Sequence, residues 1–266
     1  MLEIICLNDD RCNINNLEHE HGLSLYIEND NTKILFDVGQ GAVFKNNATK
    51  LNIDLSKIEY LILSHGHYDH TDGLKYIEDK INIVCHPNCV IWRKSKRTNK
   101  YNGIPYNKEE LNAKFNAIMT KEPLKINDQV VFLGEIERNN DFECKKFPSV
   151  LENGNEDTAI DDTGIAIDTP KGIVVISGCG HSGICNTIEQ AKKLLGKKHV
   201  YCVIGGFHLK ECDAQTYKTI EYMKDNNIER LILGHCTSDI VCEEFIKQLS
   251  QTTSVEVLET GKKYII

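Results

Sequence analysis

Apolar residues in this chain fall into short runs separated by polar or glycine-containing turns, the pattern expected of buried strands. Strands are predicted at Leu2–Cys6, Leu23–Ile27, Lys33–Asp37, Tyr60–Ser64, Ile81–Cys85, Val130–Leu133, Gly164–Ile167, Ile173–Ser177, Tyr201–Ile204 and Arg230–Leu233. Helices are predicted between many of them, over Ala42–Leu51, Thr71–Asp79, Glu109–Met119, Ile184–Leu195, Ala214–Asn226 and Asp239–Gln248. The early strands pair closely, as across the turn Glu28-Asn29-Asp30-Asn31, and the later ones alternate with helices. That order predicts an α/β protein of mixed sheets covered by helices. No linker or low-complexity tract interrupts the pattern, so a single domain is expected over residues 1–266. The least regular stretch, about 93–162, has the character of a lid or substrate loop, and a solvated surface insertion fits it equally.

The densest chemistry follows the run Tyr60-Leu61-Ile62-Leu63, in Ser64-His65-Gly66-His67-Tyr68-Asp69-His70. Gly66 permits a sharp turn with the side chains crowded together. His65 and His67 can share one metal ion, while Asp69 and His70 can face a second. Imidazoles with one carboxylate suit Zn²⁺ or a similar first-row ion, with Mn or Fe as alternatives, and suit Ca²⁺ or Mg²⁺ poorly. Buried imidazoles need partners, which weighs against a polar loop that merely happens to be His-rich.

Further strand ends repeat the theme. Ile173–Ser177 leads into Gly178-Cys179-Gly180-His181-Ser182-Gly183, Tyr201–Ile204 into Gly205-Gly206-Phe207-His208-Leu209, and Leu231-Ile232-Leu233 into Gly234-His235-Cys236-Thr237. Each time an apolar strand delivers a histidine through a glycine turn, at the edge where α/β sheets place their chemistry. A net charge of −8 argues against a nucleic-acid partner. No apolar run approaches a membrane span, and the first residues are too short and acidic a run for a signal peptide. The 11 cysteines lack a paired framework, which fits reduced thiols in a cytoplasmic protein.

These residues carry a resemblance. His65 to His70 resembles the H-x-H-x-D-H motif of the metallo-β-lactamase superfamily, and Lys33-Ile34-Leu35-Phe36-Asp37-Val38-Gly39 resembles the strand preceding it in that fold. Glu20-His21-Gly22-Leu23-Ser24, the Ser64–Leu74 block, Gly178 to Ile184 and Gly205 to Leu209 are similar to one branch of it. That branch is labelled 7,8-dihydropterin-6-yl-methyl-4-(β-D-ribofuranosyl)aminobenzene 5′-phosphate synthase. The resemblance implies an αββα sandwich, two mixed sheets with helices outside and a pair of divalent metals at one edge. It implies that His65 and His67 bind the first metal and that Asp69, His70 and His235 bind the second. The chain departs from the family pattern in having no His-containing loop before Ile173–Ser177, which makes His181 the substitute third ligand of the first metal. Cys179 stands where an aspartate usually bridges both ions, a place where a metal would favour a thiolate. Asp37 is expected to orient a histidine through its other ring nitrogen.

The chemistry so implied is hydrolysis of an anionic, phosphorylated small molecule by a metal-bound hydroxide. Asp69 takes part through the metals. His208 is left over from the ligand set and is the candidate proton donor. Substrate contacts are expected at His86, at Arg93 and Lys94 in a basic stretch, and at Ser182, where a helix start offers free N–H groups to an anion. The alternatives are a synthase joining a dihydropterin methyl diphosphate to an arylamine ribose phosphate, and a di-iron redox or metal-sensing protein.

Overall fold

The computed structural model describes residues 1–30, 32–78 and 80–266, and the chain divides into two compact units. Unit 1 comprises Met1–Lys121, Lys146–Asp161 and Glu259–Ile266, and unit 2 comprises Glu122–Lys145 and Asp162–Leu258. In chain order the strands begin with β1 (Leu2–Asn8), β2 (Ser24–Asn29), β3 (Thr32–Phe36), β4 (Tyr60–Ile62), β5 (Asn82–Cys85), β6 (Arg93–Ser95), β7 (Asn116–Met119) and β8 (Leu124–Lys125). They continue with β9 (Val130–Phe132), β10 (Ser149–Leu151), β11 (Gly164–Thr169), β12 (Gly172–Ser177), β13 (Val200–Gly205), β14 (Arg230–Leu233), β15 (Ser254–Val257) and β16 (Lys263–Ile265). The α-helices are α1 (Val43–Lys50), α2 (Tyr68–Thr71), α3 (Lys108–Lys114), α4 (Ile184–Leu195), α5 (Ala214–Asp225) and α6 (Asp239–Leu249).

Unit 1 holds a 7-stranded sheet in the order β16-β1-β2-β3-β4-β5-β7 and a 2-stranded ribbon of β6 and β10. From β16 to β3 the neighbours are antiparallel, and from β3 to β7 they are parallel. Ile34, Leu35, Phe36, Leu61 and Ile62 are fully buried, as expected of strands covered on both faces, which read as continuous apolar runs. One core of the unit packs Phe44 and Ala48 of α1 and Leu111 of α3 with Leu35, Leu61 and Ile83 of the sheet.

Unit 2 holds a second 7-stranded sheet, ordered β15-β14-β13-β12-β11-β9-β8. It too is antiparallel on one side, from β8 to β12, and parallel on the other, from β12 to β15. The core joins Ile184, Ile188 and Ala191 of α4, Ile220 and Met223 of α5, and Val241 and Phe245 of α6 to Val175, Val203 and Leu231. The helices start and stop where their sequences say. Asp213 caps α5 by accepting from the N–H groups of Gln215 and Thr216, and α4 ends at Gly196 in the left-handed region, φ 63°. Two mixed sheets with flanking helices make this an α/β protein. Among the described residues no helix is long and apolar enough to cross a membrane.

Two predicted helices are corrected. Glu109–Met119 is helical only as far as Lys114, after which Phe115 is extended and Asn116–Met119 forms β7 beside β5. The Asn107–Glu110 capping box starts that helix as the sequence suggests, but Ala117 and Met119 alternate with exposed neighbours and pack on the core as a strand. Of Thr71–Asp79, only Thr71 belongs to α2, and Asp72–Tyr76 is a 3₁₀ segment, where Gly73 weakens a regular helix. Its predicted end, Asp79, lies outside the described residues, as does Asn31 of the predicted turn 28–31. The chain also forms β6, β8, β10, β15 and β16, which the apolar pattern does not announce.

Candidate metal centre

In unit 1, β4 hands the chain to a turn that only glycine allows: a Cβ on Gly66 would lie 1.9 Å from the Cys89 carbonyl oxygen. His67 then N-caps α2, whose one turn carries Asp69 and His70. His65 and His70 are fully buried, and His67 and Asp69 nearly so. Nε2 of His65 lies 2.9 Å from Nδ1 of His67, and Nε2 of His70 lies 3.8 Å from a carboxylate oxygen of Asp69. Two nitrogens at about 2.0–2.1 Å from one tetrahedral ion stand ~3.3 Å apart, so the first pair, at hydrogen-bond distance, would open slightly to share a metal.

Asp37 organises this cluster from the end of β3. One of its oxygens accepts from the Ser64 N–H at 2.8 Å, and the other accepts from the Ser64 hydroxyl at 2.7 Å and from Nδ1 of His70 at 2.7 Å. With the proton of His70 on Nδ1, its Nε2 lone pair is presented to a metal. Ser64, having given its proton to Asp37, accepts from Nδ1 of His65 at 2.9 Å, which fixes that ring the same way. Asp37 does this from left-handed backbone, φ 56°, a strain that a surface carboxylate would not need. Burial, joined by the charge of Arg93, holds the His67 pKa down to about 3, so this ring is neutral and fit to be a ligand. His21 reaches Asp69 at 3.3 Å and Asp10 at 3.2 Å.

The β6–β10 ribbon supports the cluster from outside. Ser149 of β10 lies 3.2 Å from Nε2 of His67 and accepts from the Asn102 amide at 2.9 Å. Arg93 of β6 is fully buried; it donates to the Asn88 carbonyl at 2.9 Å and to Asp161 at 3.1 Å, with Asp157 at 3.4 Å. Burial works against its charge, and the two carboxylates more than offset it. Asp161 also accepts the Gly66 N–H at 2.8 Å. The guanidinium expected to meet an anionic substrate is therefore committed to bracing the histidine turn. Lys94 is half-buried on β6, in register with Val150. His86 is buried at the end of β5, where its Nδ1 accepts from the Asn88 N–H at 3.0 Å.

In unit 2, the three strand-end loops are laced together by backbone hydrogen bonds. Gly206 donates to Gly178 and Gly234 donates to Gly205, each at 2.9 Å, and the Phe207 N–H reaches the Thr237 hydroxyl at 3.0 Å. Gly206 is another position that only glycine fits, since a Cβ there would lie 2.5 Å from the Gly178 oxygen and 2.6 Å from Sγ of Cys236. His208 and His235 both occupy left-handed backbone, φ 49° and 38°. The rings of His181 and His208 meet edge to face with centroids 4.2 Å apart. Ligand atoms of Cys179, His235 and Cys236 all lie within 4.8 Å of one another. Burial alone would raise the Cys236 thiol, but the Cys179 thiol and the charges of His208, His235 and Lys210 pull it well below the usual range.

The anion site expected at the start of α4 is taken by the protein itself. The Ser182 N–H donates to Asp162 at 2.8 Å, and the N–H groups of Cys185 and Asn186 both donate to Glu143 at 3.0 Å. Burial raises the Glu143 pKa against those hydrogen bonds. Ser182 is buried with its hydroxyl between Arg138 and the Asp162 carbonyl. Sequence reasoning missed Ser149, Asp157, Asp161 and Glu143, and gave Cys236 no role. The donors that are present, namely buried imidazoles, one carboxylate and buried thiols, fit a divalent ion of the zinc kind.

A sheet switching from antiparallel to parallel neighbours, with imidazole and carboxylate donors beyond the parallel strand ends, defines a class of metal-binding α/β proteins. Residues 18–195 match the family model of the metallo-β-lactamase superfamily, and the chain belongs to that superfamily. It is 34% identical, over 91% of its own length and 89% of the relative's, to the 7,8-dihydropterin-6-methyl-4-(β-D-ribofuranosyl)-aminobenzene-5′-phosphate synthase of Methanocaldococcus jannaschii. A second, uncharacterized protein of the same organism is 34% identical over 82% of this chain and 84% of its own. Among solved structures, Tm1679, a metal-dependent hydrolase of the β-lactamase superfamily, superposes with a TM-score of 0.86 at 27% identity, covering 100% of this chain and 99% of that one.

Proposed function

We propose that this chain is a metal-dependent hydrolase of an anionic, phosphorylated small molecule. Its metal ligands are His65, His67, Asp69, His70, His181, His235 and Cys179, and zinc is the ion the donors suit best. The observation that carries this reading is the buried cluster of unit 1, whose His70 and His65 rings are oriented through Nδ1 by Asp37 and Ser64. Rings oriented in this way are what metal ligation requires of histidine. A bound pair of divalent ions supplies a more acidic water and polarises a phosphoryl oxygen. The protein's own part is to hold the donors without rearrangement and to keep a proton ready for the leaving oxygen. His208 is the group for that proton, on a strained Gly-Gly-Phe loop with its ring against His181. Lys94 and His86 are the candidates for holding the substrate, now that Arg93 and Ser182 are engaged elsewhere.

A synthase is the second reading, favoured by the 34% identity over 91% of the chain to a protein of that name. In it, His208 would serve the departing diphosphate and an arylamine would take the place of water. One experiment separates the two. The zinc-loaded protein is given phosphate mono- and diesters, and a dihydropterin methyl diphosphate with and without an arylamine ribose phosphate. Turnover of the esters without amine supports the hydrolase, and amine-dependent diphosphate release replaces it with the synthase. No turnover and no bound metal would remove both.

A further inference from the structure

We propose that Cys236 is itself a metal ligand, so that Cys179, His235 and Cys236 form a two-thiolate, one-imidazole site for a thiophilic divalent ion such as Zn²⁺. This rests on the metal-dependent reading above and adds a donor that neither the family pattern nor the sequence motif supplies. All three donors belong to unit 2, and their ligand atoms lie within 4.8 Å of one another. Cys179, His235 and Cys236 are each buried, at 3%, 3% and 4% exposure.

Neighbouring residues of an extended strand point to opposite faces, so His235 and Cys236 would ordinarily not share a target. The left-handed backbone at His235 breaks that alternation and lets both side chains meet Cys179. Gly206 leaves the room Sγ of Cys236 needs, and the hydrogen bonds between the Gly178, Gly205–Gly206 and Gly234 loops fix the three donors before any ion arrives. The donor chemistry points the same way, since buried thiols beside an imidazole make a soft donor set suited to a zinc-like ion. Each thiol surrenders its proton to solvent on binding, and thiolate donors select zinc-like ions over Mg²⁺ or Ca²⁺.

Cys236 also has a structural contact, its thiol donating to the Cys179 carbonyl at 3.1 Å. A serine keeps that hydrogen bond and loses the thiolate, so Cys236→Ser separates the two roles. The full chain, freed of metal, is titrated with Cd²⁺ alone while the near-ultraviolet sulfur-to-cadmium absorption is followed, beside Cys179→Ser and with far-ultraviolet circular dichroism as the check on folding. We expect Cys236→Ser and Cys179→Ser each to lose about half of the site's thiolate absorption. Each should also weaken binding by more than the ~10–100-fold that an outer hydrogen-bond partner contributes. The cadmium NMR shift of the unsubstituted protein gives the thiolate count without any variant. A wild-type absorption and affinity in Cys236→Ser, or a one-thiolate shift, overturns the assignment and leaves the metal reading intact. Failure of the unsubstituted chain to bind any Cd²⁺ overturns the metal reading itself.

Discussion

The two units solve one positioning problem with different chemistry. Each sheet is antiparallel up to a middle strand, β3 or β12, and parallel beyond it, and each places its candidate residues after that strand and the next two. In unit 1 these are Asp37, His65–His70 and His86; in unit 2 they are Cys179 with His181, then His208, then His235 with Cys236. The support differs. Unit 1 orients its rings by side-chain hydrogen bonds from Asp37, Ser64 and Ser149, whereas unit 2 relies on backbone bonds between glycine loops and on left-handed φ at His208 and His235. The sheet plan fixes where a donor stands, and the local support decides which donor it is. Side-chain support sets the orientation of individual rings in unit 1, and backbone support fixes whole loops, with their imidazoles and thiols, in unit 2.

If that division is right, substitutions in the two units should fail in different ways. The largest effect is expected from His208→Ala, which should keep its metal content while turnover falls by about 10²–10⁴-fold. Parallel loss of metal would make His208 a ligand and blur the contrast, so stoichiometry must be measured with kcat. Next come the two glycines. Gly66→Ala forces a Cβ to 1.9 Å from a backbone oxygen and should lower unfolding free energy in urea by about 3 kcal/mol. Gly206→Ala, where one of the two close atoms belongs to the Cys236 side chain, should cost less, and equal costs would count against the greater give of the second site.

Asp37→Asn should weaken metal binding by ~10-fold or more, read by chelator competition, with turnover restored at saturating metal. Turnover that stays low when metal is saturating would mean Asp37 does more than set the His70 ring. The smallest effect is at Glu143. Its folded pKa is raised above the usual 4.5, so the charged form is the disfavoured one. Stability should be highest below that value and decline as pH rises through the raised pKa, then level off. Glu143→Gln should flatten this decline in a pH series of urea melts, and an unchanged slope would assign it to another group.

The sequence announced the long elements and the histidines, and for a physical reason. β14 at Arg230–Leu233 and α4 at Ile184–Leu195 fall where their apolar patterns place them, because burial on a sheet or on one helix face leaves a local record. β6 and β16 leave none, since Arg93-Lys94-Ser95 is polar and Lys263-Tyr264-Ile265 is too short to show a period, and both are held by their neighbours. The same limit applies to the site. His65 to His70 are legible because four donors crowd into one turn. Ser149 stands 82 positions from His67 and Asp161 stands 95 from Gly66, and a contact across such a distance has no local pattern. Arg93 is taken for a substrate contact for this reason: its basic neighbours suggest an anion-binding stretch, and the carboxylates that engage it lie far along the chain.

Unit 1 is made of three stretches of chain, and the last of them, Glu259–Ile266, follows everything in unit 2. Its β16 closes the sheet beside β1, and Ser149, which touches His67, comes after the first residues of unit 2. During synthesis the usual order, in which N-terminal parts finish folding first, cannot hold here. The histidine turn leaves the ribosome early, but the strand that completes its sheet emerges only after all of unit 2 has been made. The nascent chain therefore carries an unpaired β1 edge while unit 2 is being made, and the delay leaves that strand open to pairing with the wrong partner.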